Sequence, residues 1–395
     1  MKPISTMASA IQASTTLKVD ALFKQMKADG LDVVGFGAGE PDFDTPDNIK
    51  DAAIASIKAG RTKYTPPNGI PELREAVAAR FLADCGINYS ASQIVVGSGA
   101  KHCVYVALQC LLNPGDEAII PAPYWVTYPE AVKMAGGVPV IVSASEDDEF
   151  KITSDQLEQA ITNKSKLFIL NNPSNPTGML YSEQELRALC EVCVKHDLYI
   201  LSDEIYYKLI YDNKPFKSVA ALGQEIKERT ILVNGVSKSY SMTGWRIGYM
   251  AADEKLAKIM SNYIGHATSS PSTTSQIASV EALNGPQDKI EEMRKVFEQR
   301  RNYIVESVNA IEGLSCRKPD GAFYIMVNIE KQIGRTLGEM KINNSGDFSL
   351  AFLESGLVAV VSCTDFGCDN FVRLTYAASE KSIEEGMKRL ADFVK

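Results

Sequence analysis

The chain has 395 residues, enough for two or three domains and a large core. Hydrophobic residues make up 45% and charged residues 23%, the balance of an ordinary globular protein. With 41 Lys and Arg against 49 Asp and Glu, the net charge of −8 argues against a general binder of nucleic acid or anionic membranes.

In chain order, residues 1–20 hold no long apolar core, so no signal peptide is visible. No apolar run approaches a membrane span, and a cytoplasmic location with reduced thiols is expected. A helix over 16–29 stops at Gly30, and a short strand over 33–36 follows. The loop Gly37-Ala38-Gly39-Glu40-Pro41-Asp42-Phe43 is either a plain turn or backbone that lets a ligand approach closely. Thr45 caps the next helix with Pro46 at its first position, and residues 64–69 are too rich in breakers to be anything but loop.

A helix over 72–82 precedes a buried strand over 94–96. Then come Gly97-Ser98-Gly99-Ala100-Lys101 and a helix to about Leu112. A strand, a small-residue loop and a helix N-terminus form a natural phosphate cradle. The loop is neither a Walker A nor a dinucleotide motif, since His stands at 102.

Strands at 118–120, 138–142, 166–170, 199–201 and 231–233 alternate with helices at 128–135, 154–161 and after Ser182, where Ser182 and Glu185 form a capping box. Cys190 and Cys193 make a C-x-x-C on the apolar face of that last helix and read as buried core thiols. None of the three histidines has metal-ligand spacing from Cys, Asp or Glu, so neither a metal site nor a His-based triad is expected.

The alternation predicts an α/β fold with a mostly parallel sheet covered on both faces. Ligands in such sheets bind beyond the carboxyl ends of the strands. The Gly97–Lys101 loop, Tyr124-Trp125, Asn175, Asp203 and Lys238 all follow strands and so gather on one edge. After about Glu281 the character changes: a long charged helix over 288–311, strands at 322–327, 358–361 and 371–376, and helices at 348–354 and 382–394 suggest a smaller α+β domain.

That edge carries an amine (Lys238), a carboxylate (Asp203), an aromatic face (Trp125), a phenol (Tyr206), an amide (Asn175) and a phosphate cradle (Gly99, Ala100, Ser237, Arg246). Pyridoxal 5′-phosphate (PLP) needs all of these. A lysine takes its aldehyde, a carboxylate keeps its ring nitrogen protonated, donors bind its phenolate oxygen, and a helix start with an Arg holds its phosphate.

The run Ser237-Lys238-Ser239-Tyr240-Ser241-Met242-Thr243-Gly244-Trp245-Arg246-Ile247-Gly248, with Asn171 to Gly178 and Ser202-Asp203-Glu204-Ile205-Tyr206, resembles the class I aminotransferases of PLP fold type I. Within that family the chain is most similar to the bacterial aspartate aminotransferases of the thermophile-like subgroup. The resemblance implies a large PLP-binding domain over 46–285 and a small domain of 1–45 plus 286–395. It implies that Lys238 holds the cofactor and moves the α-proton, that Asp203 pairs with the ring nitrogen, and that Asn175 and Tyr206 bond the phenolate oxygen. Tyr207, adjacent to Tyr206, is separated from that role only by register. Trp125 matches the stacking aromatic, and Gly99, Ala100, Ser237 and Arg246 match phosphate contacts. Tyr64 matches a tyrosine reaching the phosphate of the neighbouring subunit, which implies a homodimer. Met242 and Trp245 read as packing around the loop.

Arg373 matches the clamp on the substrate α-carboxylate, a bidentate task that Lys performs poorly, and Gly39 a backbone substrate contact. Lys101 aligns with a lysine that binds the distal carboxylate of aspartate; a local structural cation beside the phosphate loop is the other reading. The implied reaction is transamination of L-aspartate with 2-oxoglutarate. The alternatives are other aminotransferases acting on prephenate, aromatic or alanine-type substrates, and, from another class, an amino-acid-sensing regulator on the same fold. Gln12 stands where relatives that accept prephenate carry a lysine. The segment around Ser14 to Thr16 is expected to close over bound substrate.

Overall fold

The computed structural model describes residues 2–11 and 16–395. Gln12 and residues 14–15 of the segment expected to close over substrate lie outside the described residues.

A seven-stranded sheet forms the centre. Its strands in chain order are β1 (Ile94–Gly97), β2 (Glu117–Ala122), β3 (Val138–Ser143), β4 (Ser165–Asn171), β5 (Tyr199–Asp203), β6 (Thr230–Gly235) and β7 (Gly248–Ala251). Their order across the sheet is β1-β7-β6-β5-β4-β2-β3. All neighbours pair in parallel except β7, which runs antiparallel to both β1 and β6.

Strands sandwiched by helices read as continuous apolar runs. Every residue of β1 and β6 is buried, and each buried Val, Ile or Leu contributes about 2 kcal/mol. The edge strand β3 is the exception. Val138 and Ile141 are partly exposed there, and Pro139 sits where a missing N–H costs least. Strand β7 falls outside the strands expected from sequence. Its four residues close the turn that began at Lys238 and run back beside β1, so that Gly248 pairs with both Gly97 and Gly235.

A second, antiparallel sheet comprises β8 (Ser315–Cys316), β9 (Tyr324–Asn328), β10 (Val361–Ser362) and β11 (Phe371–Thr375), in the order β10-β11-β9-β8. The long helix Asp288–Asn309 packs against it through Met293, Phe297, Ile304 and Val308, in one core with Phe348, Phe352 and Leu390. The expected strand over 358–361 is two short pieces. Val358–Ala359 pairs with Val34–Gly35, while Val361–Ser362 joins the second sheet.

The capping box of Ser182 and Glu185 is present. Cys190 and Cys193 are both buried, and burial pushes both thiols well above their ordinary range. Thr45 differs from expectation. The helix Asp47–Lys58 starts after Pro46 with no side-chain cap. The Thr45 hydroxyl donates instead to the Ser241 carbonyl (2.6 Å) and accepts from Trp245 Nε1 (3.0 Å), because that loop offers it better partners than its own helix. Among the described residues no helix is long and apolar enough to cross a membrane.

Candidate active site

The carboxyl ends of β1, β2, β4, β5 and β6 lie along one edge of the central sheet, and β11 of the second sheet meets them there. Lys238 stands in the turn just past β6. Its Nζ donates to the Gly39 carbonyl. Burial pushes this amine down to about 8; Glu40 opposes the shift, and Arg373 and Arg246 add to it. Near neutral pH a fraction of the amine is therefore unprotonated and able to act as nucleophile or base.

Asp203 ends β5 and is 3% exposed. Its Oδ2 accepts the Tyr128 hydroxyl at 2.8 Å, and its Oδ1 accepts the Ile205 N–H at 3.2 Å. Burial raises the carboxyl to about 6, against those donors and the Lys238 charge. A carboxylate so desolvated, with lone pairs to spare, suits a cationic N–H partner.

Arg373, in the middle of β11, is 6% exposed. Its Nη1 donates to Asn175 Oδ1 and its Nη2 to the Gly37 carbonyl, both at 3.0 Å. The guanidinium lies 4.4 Å from the centre of the Tyr324 ring and 5.2 Å from that of Phe366. The Asn175 N–H donates to Asn171 Oδ1 (2.7 Å), and Asn171 Nδ2 donates to the Asp203 carbonyl (2.9 Å). One hydrogen-bonded chain thus runs from Arg373 to Asp203.

The anion cradle is built from bare backbone. Gly99 has φ +93° and precedes the helix Ala100–Leu111. A Cβ on Gly99 would strike the Arg246 guanidinium, and one on Gly248 would strike the backbone of Gly99 and Ala100. Arg246 is itself left-handed (φ +55°), and its Nη1 donates to the Thr243 carbonyl at 2.8 Å. Strand β7 explains this meeting, since its antiparallel return sets Arg246 beside the helix's positive end. Ser237 is buried next to Lys238. The Ser98 N–H donates to His102 Nδ1 at 3.1 Å, which pins the loop.

Lys101 Nζ lies 4.8 Å from the centre of the Trp125 ring, and Trp125 meets the Tyr128 ring edge-on at 5.3 Å. The Lys101 amine is held below its ordinary range by burial and by Arg246. The Tyr206 hydroxyl sits 3.1 Å from that of Tyr324, whereas the Tyr207 hydroxyl turns away to donate to Asp84 Oδ2 at 2.7 Å. In this register the Tyr206 hydroxyl points toward Tyr324, beside Arg373, and that of Tyr207 points away. Tyr64 stands apart. It is 90% exposed, on a hollow lined by Thr62, Lys63 and Ser270 to Thr274. Among the described residues no cluster of His, Cys, Asp and Glu is arranged to hold a metal ion.

The description Aminotransferase class I and II fits residues 31–390. The chain belongs to this family. The aminotransferase is 49% identical to an aspartate aminotransferase of Bacillus subtilis, over 98% of this chain and 97% of the relative. It is 45% identical to an aspartate/prephenate aminotransferase of Cereibacter sphaeroides, over 99% and 98%. Its fold matches the crystal structure of the aspartate aminotransferase from Rhizobium meliloti with a TM-score of 0.96 at 41% identity, covering 100% and 99% of the two chains.

Three residues of this aminotransferase's site escaped the reading of its sequence. Tyr128 stands one helical turn beyond Trp125, a spacing that signals a shared face. His102 follows the small-residue loop directly, but its sequence position speaks only against a dinucleotide motif, a metal site and a His-based triad. Tyr324 carried no signal, since a tyrosine in a buried strand reads as core.

Proposed function

We propose that this aminotransferase transfers the amino group of L-aspartate to 2-oxoglutarate, with PLP as cofactor, yielding oxaloacetate and L-glutamate. The observation that carries the reading is the joint placement of three groups. These are a half-buried amine pushed down to about 8 (Lys238), a buried carboxylate (Asp203) and a buried guanidinium (Arg373) around one sheet edge. The cradle at Gly99, Ala100 and Arg246, where a Cβ on Gly99 would strike the guanidinium, fits a phosphate.

Lys238 would hold the cofactor, and its Nζ would carry the substrate α-proton. Asp203 holds the ring nitrogen protonated, with Tyr128 keeping the carboxylate in place. Asn175 presents its Nδ2 to the phenolate oxygen, because Arg373 already occupies its Oδ1. Tyr206 is the second donor there, and Trp125 covers the ring. Gly99, Ala100, Ser237 and Arg246 bind the phosphate, joined by Tyr64 of a neighbouring subunit in a homodimer; the 90% exposure of Tyr64 supports that reach. When bound, PLP supplies the electron sink that makes the α-proton acidic. Arg373 and the Gly39 backbone orient the α-carboxylate, and Lys101, free to leave the Trp125 face, takes the distal one. The working division is a large domain of 46–285 and a small one of 1–45 plus 286–395.

The Cereibacter relative favours prephenate as a second acceptor. A steady-state panel tests both readings. With 2-oxoglutarate as acceptor, aspartate is expected to exceed phenylalanine and alanine by about 100-fold in kcat/KM, the scale set by an unpaired charge in a built site. No turnover of aspartate would sink the assignment, and turnover of prephenate with aspartate as donor would add the second substrate.

A further inference from the structure

Tyr324 joins the two carboxylate-handling and cofactor-handling halves of the site. It lies in β9, where its Cα is paired with Thr375, while Arg373 is paired with Met326. Tyr324 and Arg373 are therefore diagonal neighbours on one face of the small sheet, within reach of each other's long side chains. The guanidinium of Arg373 rests 4.4 Å from the ring centre of Tyr324. At the far end of the ring, the hydroxyl meets that of Tyr206 at 3.1 Å. Tyr324 is 1% exposed, so both contacts are made without competing water.

We infer that Tyr324 is a positioning residue with two separable tasks, its ring seating Arg373 and its hydroxyl donating to Tyr206. The inference rests on the proposed function, and the direction of the second bond follows from it. Tyr206 has one proton. If that proton goes to the cofactor's phenolate oxygen, the Tyr206 oxygen is left to accept, and Tyr324 must donate. A donor behind Tyr206 polarises its O–H and makes it the stronger donor toward the cofactor. The charged and titratable groups facing Tyr206 are Asp203, Arg373, Tyr324 and Tyr128. The first two stay in place when the Tyr324 hydroxyl is removed, so that removal is a clean perturbation.

The ring and hydroxyl are separated by Tyr324→Phe and Tyr324→Leu in the PLP-loaded protein. Two quantities are read: the midpoint of the pH-dependent change in visible absorbance, and the Kd of maleate as a dicarboxylate probe. Tyr324→Phe should raise the midpoint by about 0.3–0.7 unit, since a weakened donor stabilises the phenolate form less. Its maleate affinity should stay within about twofold of the parent. Tyr324→Leu should show the same midpoint and bind maleate roughly 10- to 30-fold more weakly, the scale of a desolvated cation–π contact. A purely structural tyrosine would leave the midpoint where it is. An unchanged midpoint in Tyr324→Phe overturns the hydroxyl's task, and equal maleate binding by the two variants overturns the ring's. Should the Leu variant fail to fold, Tyr324→Met carries the second arm. A parent protein that develops no visible band with PLP would overturn the proposed function itself, a result distinct from either.

Discussion

Tyr128 and Asp203, 75 residues apart, meet through one hydrogen bond: the tyrosine hydroxyl donates to Oδ2 of the aspartate at 2.8 Å. The helix Thr127–Met134 places Tyr128 in this position, at the end of β5. Tyr128 is one of the few forces that oppose the rise of the Asp203 carboxyl caused by burial. Tyr128→Phe should therefore move that carboxyl above about 6. The pH at which the apoprotein's PLP affinity falls to half of its alkaline limit should rise by up to about one unit. Fluorescence titration with PLP between pH 5 and 8 measures it, and an unchanged profile would show that the bond does not tune Asp203.

Lys238→Ala should abolish turnover and the visible absorbance of lysine-bound cofactor, because it removes the amine that reaches Gly39 and acts on Asp203. The variant should still bind PLP non-covalently through the cradle. Retention of full turnover would remove Lys238 from the chemistry.

Under the proposed function, Lys101 would separate substrates rather than drive the reaction. Lys101→Ala should lower kcat/KM for aspartate by about 10- to 100-fold, the cost of one unpaired carboxylate, and leave alanine within about threefold. Equal losses on both donors would instead make Lys101 a local cation of the phosphate loop, as its place over Trp125 and near Arg246 also permits.

Glu204, next to Asp203, faces the other way and is 1% exposed. Its Oε1 accepts from Ser202 Oγ (2.9 Å), Ser218 Oγ (3.0 Å) and the Val219 N–H (3.0 Å), three uncharged donors. Burial raises its carboxyl from 4.5 to about 7. A folded-state value above the unfolded one means that the native protein holds the extra proton between those pH values. The contribution of Glu204 to stability is therefore greatest below 4.5 and falls as pH rises to about 7, by roughly 3 kcal/mol in full. Glu204→Gln keeps the single oxygen that all three donors use. It should be close to neutral at pH 5 and stabilising at pH 8, as read from urea midpoints of the PLP-loaded protein at both values. A constant difference across that range would show that Glu204 does not titrate on folding.

Strand β7 shows where the reading of the sequence reached its limit. Residues 248–251 follow a turn crowded with Gly, Ser and Arg, and four residues are too few to display a period. Only the pairing of Gly248 with Gly97 and Gly235 makes them a strand, and only that return brings Arg246 to Gly99. Thr45 teaches the same lesson on a smaller scale. A local rule made it a helix cap, and a loop nearly two hundred residues away offered it stronger partners.

The sequence by itself determined the family and the α/β class, and it singled out the lysine, carboxylate, amide and arginine that the proposed function uses. Those follow from local motifs and from the alternation of apolar strands with amphipathic helices, both written in neighbouring residues. The tertiary structure alone decided that the Tyr206 hydroxyl meets Tyr324 while Tyr207 turns to Asp84, that Arg373 sets the orientation of Asn175, and that Tyr128 meets Asp203. Each of these depends on register and on contacts across tens to hundreds of residues. A buried aromatic carries no mark in the sequence of which polar group its hydroxyl will meet.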